Sequence, residues 1–315
     1  MRARKTEGSG REAVGSLLLT AFCLLLTACF PLTRPVVKIA LVAPFEGRYR
    51  EVGYEVIYAV RLAVREANAN GGVAGYSVEL LALDDSGDVD MATEQARKAA
   101  ADPQVAGVIG HWLDETTLAA AREYAAVSIP VLATTSLSDL HSSAFRLWPT
   151  DAALRSALPD AAFCPAPCDS LEDLSWLHSP TSNLPELIAG PPLWMQPQFA
   201  ALAGDTAEGV YVIAAAPLSA DSTDPSFADR YRAISNGVEP RSNAVLAYDA
   251  ARLLFEAIER DVKQNGAPTG AGVMAALEQS NYSGLSGPIS FDEKHNWKEA
   301  WGWVYQWRNG KIIRP

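Results

Sequence analysis

The pattern that restricts this chain most is a short apolar run, a helical stripe, a double glycine and a second apolar run. Val36–Ala43 reads VVKIALVA, an apolar β-branched strand of the buried kind. Val52, Val56, Val60 and Val64 then recur four residues apart, with Ala59, Ala63 and Ala67 beside them, which marks one face of a helix. Gly71-Gly72 end that helix, because glycine readily takes the left-handed conformation of a helix C-terminus. Val78–Leu83 follows as a strand with no polar face, the kind that parallel sheets cover with helices on both sides.

The unit repeats. Asp88 or Asp90 caps a helix running to about Ala101, Val105–Gly110 is a strand, and Asp114–Val127 is a helix. Ile129–Thr135 and Ala144–Pro149 are two more strands. This alternation predicts an α/β fold with a doubly wound sheet. Ligands of such sheets sit outside the carboxyl ends of the strands, here Pro44–Arg50, Asp84–Gly87, His111–Thr117 and Thr134–Asp139. Beyond Thr150 the signal weakens to a short strand at AAFC and a short helix over Asp169–His178. It recovers with a strand in EGVYVIAAAP and helices over Pro225–Ser235, Ala244–Val262 and Gly272–Gln279. A final hairpin turns at Asn309-Gly310, the pair favoured in type I′ turns.

The first residues read as a targeting segment. Arg2, Arg4, Lys5 and Arg11 precede an apolar run from Ala13 to Cys29 that is short for a membrane span. Leu26-Thr27-Ala28-Cys29 resembles the bacterial lipobox, which implies cleavage before Cys29 and acylation of its sulfur. Residues 1–28 are then a lipoprotein signal peptide, and residues 29–35 a tether to the membrane through the lipid anchor. Their removal takes away four basic and two acidic side chains and moves the net charge from −11 to −13. That balance argues against nucleic acid and anionic lipid surfaces as partners. Cys164 and Cys168, in Cys-Pro-Ala-Pro-Cys, lack the two-residue spacing of redox and zinc motifs. Outside the cytoplasm they suit a small-loop disulfide or two half-buried thiols.

Catalytic signatures are missing. The chain holds no dinucleotide fingerprint after a strand, no phosphate loop, no G-x-S-x-G elbow and no H-E-x-x-H. Its four histidines are scattered, and only His111 stands at a strand end. Asp84, Asp85 and Asp88 read as a solvated loop and helix cap rather than a metal site. No cofactor, metal or enzymatic activity is expected.

Several blocks carry a resemblance in combination and in order. They are APFEGRYREVG, REANANGGVAGYSVELLALDD, VAGVIGHW, SIPVLATTS and FRLWPTD, then LAGDTAEGVYV, NAVLAYDAARLLFEAIER and GLSGPISFDEKHNWKEAWGWVYQW. Together they resemble the leucine/branched-chain amino-acid-binding proteins of ABC importers. The resemblance implies two doubly wound lobes that close on a ligand about crossover strands, a Venus-flytrap. Lobe 1 would combine residues 36–147 with 244–287, and lobe 2 residues 148–243 with 288–315. Only about fifty residues separate the PTD crossover from the GDTAEG block, so lobe 2 is expected to be shortened.

The resemblance also implies site residues. The segment after Gly110-His111 should open a helix whose N–H groups and hydroxyls take the ligand carboxylate; here it offers Trp112, Thr116 and Thr117, with Asp114 and Glu115 in place of serines. Thr134, Thr135 and Ser136 form the second anchor, and Arg48 and Tyr49 lie in the loop after the first strand. Gly190-Pro191-Pro192-Leu193-Trp194 lacks the acid that would hold a ligand ammonium; Trp194 either closes over the cleft or packs. The implied function is a lipid-anchored protein outside the cytoplasm that binds a small polar ligand for an ABC importer permease. The alternative is a sensor or scaffold that kept the fold and lost transport. With acids where a carboxylate would dock, leucine should bind weakly or not at all.

Overall fold

A computed structural model describes residues 34–134, 140, 143–164, 171, 174–175, 177 and 187–315. Cys29, Thr135, Ser136, Cys168 and the helix expected over Asp169–His178 fall wholly or largely outside them, as does the signal segment.

Lobe 1 is built on β1 (Val36–Ala43), β2 (Ser77–Asp84), β3 (Val105–Ile109), β4 (Val131–Ala133) and β5 (Ala144–Arg146). All pairings are parallel and the order is β2-β1-β3-β4-β5, with the switch point between β1 and β3. β2 corrects its expected burial: it is the edge strand, with Val78 buried and Glu79 exposed, so a neighbour covers it on one side only.

Helix α1 (Arg50–Ala69) lays Val52, Val56, Ala59, Val60 and Ala63 against the sheet. Each large apolar side chain buried this way contributes roughly 1.5–3 kcal/mol. The helix stops where expected: Gly71 and Gly72 have φ of +98° and +82°, and a Cβ on Gly72 would lie 1.9 Å from the Tyr76 carbonyl oxygen. On the other face lie α2 (Val89–Ala101), whose N-cap Asp88 accepts a hydrogen bond from Met91 N–H at 2.8 Å, and α3 (Asp114–Ala126).

The chain enters lobe 2 through α4 (Asp151–Ser156). The second sheet has the order β12-β11-β8-β7-β6. β6 (Ala162–Phe163), β7 (Ile188–Gly190) and β8 (Tyr211–Ala214) are parallel; β11 (Trp303–Arg308) and β12 (Lys311–Ile313) add antiparallel strands. The β11–β12 turn is the expected one, with positive φ at Asn309 and Gly310. α5 (Pro197–Ala203) covers one face, while the other holds a small cluster around Leu154, Ala189 and Ile213.

Two expected lobe boundaries shift. Phe227 and Tyr231 of α6 (Phe227–Arg232), expected in lobe 2, lie in the apolar cluster of α1 and α7 (Ser242–Asn265), as do Ala215 and Ala216. Arg230 reinforces this, bonding to Glu66 of α1 and, at 2.7 Å, to Asp224. The last crossover also comes later than Pro288. β9 (Tyr282–Gly284) and β10 (Gly287–Ile289) pair beside α7 and α8 (Gly270–Glu278), and Ile289, Phe291 and Trp297 remain in the lobe 1 cluster. Lobe 2 is re-entered only at β11.

Candidate functional site

Three strand-end loops converge beside the switch point. The loop after β1 is held close to α1, because Gly53 leaves room for Pro44: a Cβ on Gly53 would lie 2.2 Å from the Pro44 carbonyl oxygen. Half-buried Tyr49 is the N-cap residue of α1, and Arg48 is exposed. The Tyr49 ring and the Leu113 side chain close on Gly87, where a Cβ would lie 2.9 and 3.0 Å from them. Tyr49, the β2–α2 loop and the β3–α3 loop therefore form one surface.

Beneath it runs a buried polar chain. His111 Nδ1 lies 2.7 Å from Asp85 Oδ2, and Nε2 lies 3.1 Å from the Tyr124 hydroxyl. Asp85 Oδ1 accepts the Gly87 N–H at 3.0 Å. Burial, then the Asp85 charge, raises the Tyr124 hydroxyl well above its ordinary range. This corrects the solvated loop expected at Asp85, whereas Asp88 is exposed and is the expected cap. Asp85 is fully buried, and Asp84 accepts N–H bonds from Phe45 and Ser86, both at 2.8 Å. A carboxylate taken out of water needs such partners. His111 is a positioning residue for the loop it opens.

The threonines serve that same loop. Thr134 Oγ1 donates to the His111 carbonyl at 2.8 Å, Thr117 Oγ1 to those of His111 and Leu113 at 3.2 and 2.8 Å, and Thr116 Oγ1 to that of Leu113 at 3.0 Å. All three are buried. A hydroxyl has one proton, and in this structure all three are directed to backbone carbonyls rather than outward. Trp112 differs: the residue is 8% exposed, and its buried indole N–H has no hydrogen-bond partner. Glu115 is exposed and Asp114 half-buried at the start of α3.

Of the two readings of Trp194, closing over the cleft and packing, the structure has packing, so its place among the ligand contacts is corrected. It is fully buried in lobe 2, stacked on Phe199 with ring centroids 4.4 Å apart, and its carbonyl accepts the Trp307 indole N–H at 3.0 Å. Gly190 makes the space, since a Cβ there would lie 2.0 Å from the Trp194 ring. Cys164 is buried and disulfide-bonded, with its partner outside the described residues.

The lobes meet at residues that the sequence does not single out. Leu193 packs against the apolar clusters of both lobes. Gln196, 1% exposed and N-cap of α5, donates from Nε2 to Glu55 Oε2 on α1 at 2.9 Å. A signal existed for Glu55: it lies three residues after Val52 and four before Ala59, on the apolar stripe.

This arrangement, a doubly wound lobe joined by three crossovers to a second α/β lobe, has relatives. A family described as periplasmic binding protein matches residues 36–161 and 183–311. The chain belongs to the periplasmic binding protein family. Among solved structures it is similar to the branched-chain amino acid substrate-binding protein LivJ of Streptococcus pneumoniae in complex with isoleucine. That match has 19% identity, covers 89% of this chain and 100% of that one, and has a TM-score of 0.70. The leucine-binding protein LivK of Thermotoga maritima aligns at 20% identity over 89% and 97%, with a TM-score of 0.72. A solute-binding protein of an ABC transporter from Rhodopseudomonas palustris, in complex with benzoate, aligns at 17% identity over 88% and 95%, with a TM-score of 0.67. No curated protein sequence matches the chain. These likenesses establish the fold of this periplasmic binding protein. Among its described residues no helix is long and apolar enough to cross a membrane.

Proposed function

We propose that this periplasmic binding protein is a lipid-anchored solute-binding protein outside the cytoplasm, acylated at Cys29, that delivers a small neutral polar ligand to an ABC importer permease. No reaction and no cofactor are assigned to it. The ligand class is carried by Trp112. Its buried N–H without a partner, at the carboxyl end of β3, calls for a ligand that presents an acceptor oxygen such as an amide carbonyl. The hydroxyls of Thr116, Thr117 and Thr134 are committed to backbone carbonyls, and Asp114 and Glu115 flank the start of α3, which disfavours a ligand carboxylate. Tyr49 contributes the wall from the β1 loop; Thr135 and Ser136 are proposed to extend it.

Calorimetry with leucine, isoleucine and valine against their primary amides tests this reading. The amides should bind and the free amino acids should not. Micromolar binding of any of the three free acids refutes it. Trp112→Phe, which removes only the N–H donor, should weaken amide binding about tenfold or more. The second reading, a scaffold that no longer transports, is favoured by the buried Gln196–Glu55 contact between the lobes. A screen that finds no stabilising ligand, where a hundredfold excess over Kd would add about 2.7 kcal/mol, selects that reading.

A further inference from the structure

Three parts of the hinge converge on one buried carboxylate. Glu55 is 3% exposed, in the second turn of α1. Its Oε1 accepts the Ala244 N–H at 2.9 Å, in the first turn of α7. Arg241, the N-cap residue of α7, supplies no side-chain cap, so Glu55 caps that helix from another element. Its Oε2 accepts Gln196 Nε2 from lobe 2, and its backbone carbonyl accepts the Tyr231 hydroxyl at 2.9 Å. One residue thus ties lobe 1, the returning crossover and lobe 2.

We propose that the Glu55–Gln196 pair is a latch that holds the two lobes together without ligand. Rotation about the crossovers would part Gln196 from Glu55 while leaving the Ala244 bond, which lies within lobe 1, intact. Both side chains are closed off from solvent, and there an unmade hydrogen bond is costly. Gln196 Oε1 is buried and has no partner. After a half-turn of its amide, Gln196 can accept from an amide at position 55, so Glu55→Gln retains a latch that Gln196→Ala removes. Burial raises the Glu55 carboxyl above its ordinary range against the opposing pull of Arg241 and its donors; the protonated acid would donate to Gln196 in the same way. The latch requires only the two-lobed hinge and is independent of which ligand binds.

Hydrogen-exchange mass spectrometry on the ligand-free full chain tests it. In wild type, amides of 193–203 and 242–248 should be protected. In Gln196→Ala they should exchange about tenfold faster or more, while β1 and β3 keep their protection as a control for folding. Glu55→Gln should stay close to wild type. Unchanged exchange at the seam in Gln196→Ala overturns the proposal, as does a wild-type seam that exchanges as fast as the exposed loop 46–48.

Discussion

Lobe 1 and lobe 2 share an architecture and differ in how much sequence sustains it. β1 and β2 have eight residues each, whereas β6 has two and β7 three. The lobe 1 cluster runs from Val37 to Trp297 and absorbs Phe227 and Tyr231 of the crossover region. Lobe 2 instead concentrates its interior on a few large rings: Trp194, Phe199, Tyr305 and Trp307. The difference teaches that lobe 2, with its short strands, compensates with side-chain size, because apolar area can come from many small contacts or a few large ones. It also explains why Trp194 is unavailable to a ligand.

The sharpest way to break the comparison is Trp194→Ala. Emptying so large a buried site should cost about 4 kcal/mol. The loss should fall on lobe 2, so calorimetric unfolding should separate into two transitions. A single transition would mean that the lobes unfold as one unit despite their unequal cores.

Glu55→Ala comes next. It leaves the Ala244 N–H and the Gln196 amide without their acceptor in a buried place, and should cost about 3 kcal/mol in urea unfolding. Because the residue belongs to the seam, both lobes should lose stability; a loss confined to one would show that the seam does not couple them.

Asp249 tests lobe 1 alone. Its buried carboxylate accepts the N–H groups of Leu285 and Ser286 at 2.7 and 2.8 Å, and burial pushes it up to about 6. A raised folded value means that protonation favours the folded state. Its contribution is therefore full below about pH 4 and is lost as pH rises through about 6, a change of about 2–3 kcal/mol. Asp249→Asn should flatten the stability profile between pH 4 and 7, measured as the urea midpoint; an unchanged slope would remove Asp249 as its source.

The smallest effect is expected of Thr134→Val. Losing one hydroxyl bond to the His111 carbonyl should cost about 1 kcal/mol and leave ligand affinity unchanged. A large affinity loss, read by calorimetry with whichever amide binds wild type, would return Thr134 to the ligand.

Much of this fold is legible in the sequence. The valine stripe, the double glycine and the β-branched runs marked the parallel sheet of lobe 1, since each obeys a periodicity that burial imposes. Asp88 and Asn309-Gly310 marked a cap and a turn through local chemistry alone. The site was less legible. Whether the Thr134 hydroxyl faces a ligand or a carbonyl depends on the path of a loop 23 residues away in sequence. Whether Asp85 is solvated depends on a histidine 26 residues further on. Trp194 was ambiguous because a large ring after a strand serves a cleft or a core equally, and only Gly190 beneath it decides.

The cap that Glu55 places on α7 has a consequence for how the molecule is made. Its two partners stand 189 residues apart. As the chain emerges from the ribosome, α1 and its carboxylate appear long before the helix that they cap. Lobe 1 therefore cannot close over its interior while only its first half has been synthesised. It must wait for the whole of lobe 2's parallel segment and for α7 behind it. Contacts of such separation slow folding and prolong the exposure of apolar strands. Lobe 1 is thus completed only after α7 and the segment to Trp297, and the period before Ser242 appears is the one in which β1 and β3 most need protection from other chains.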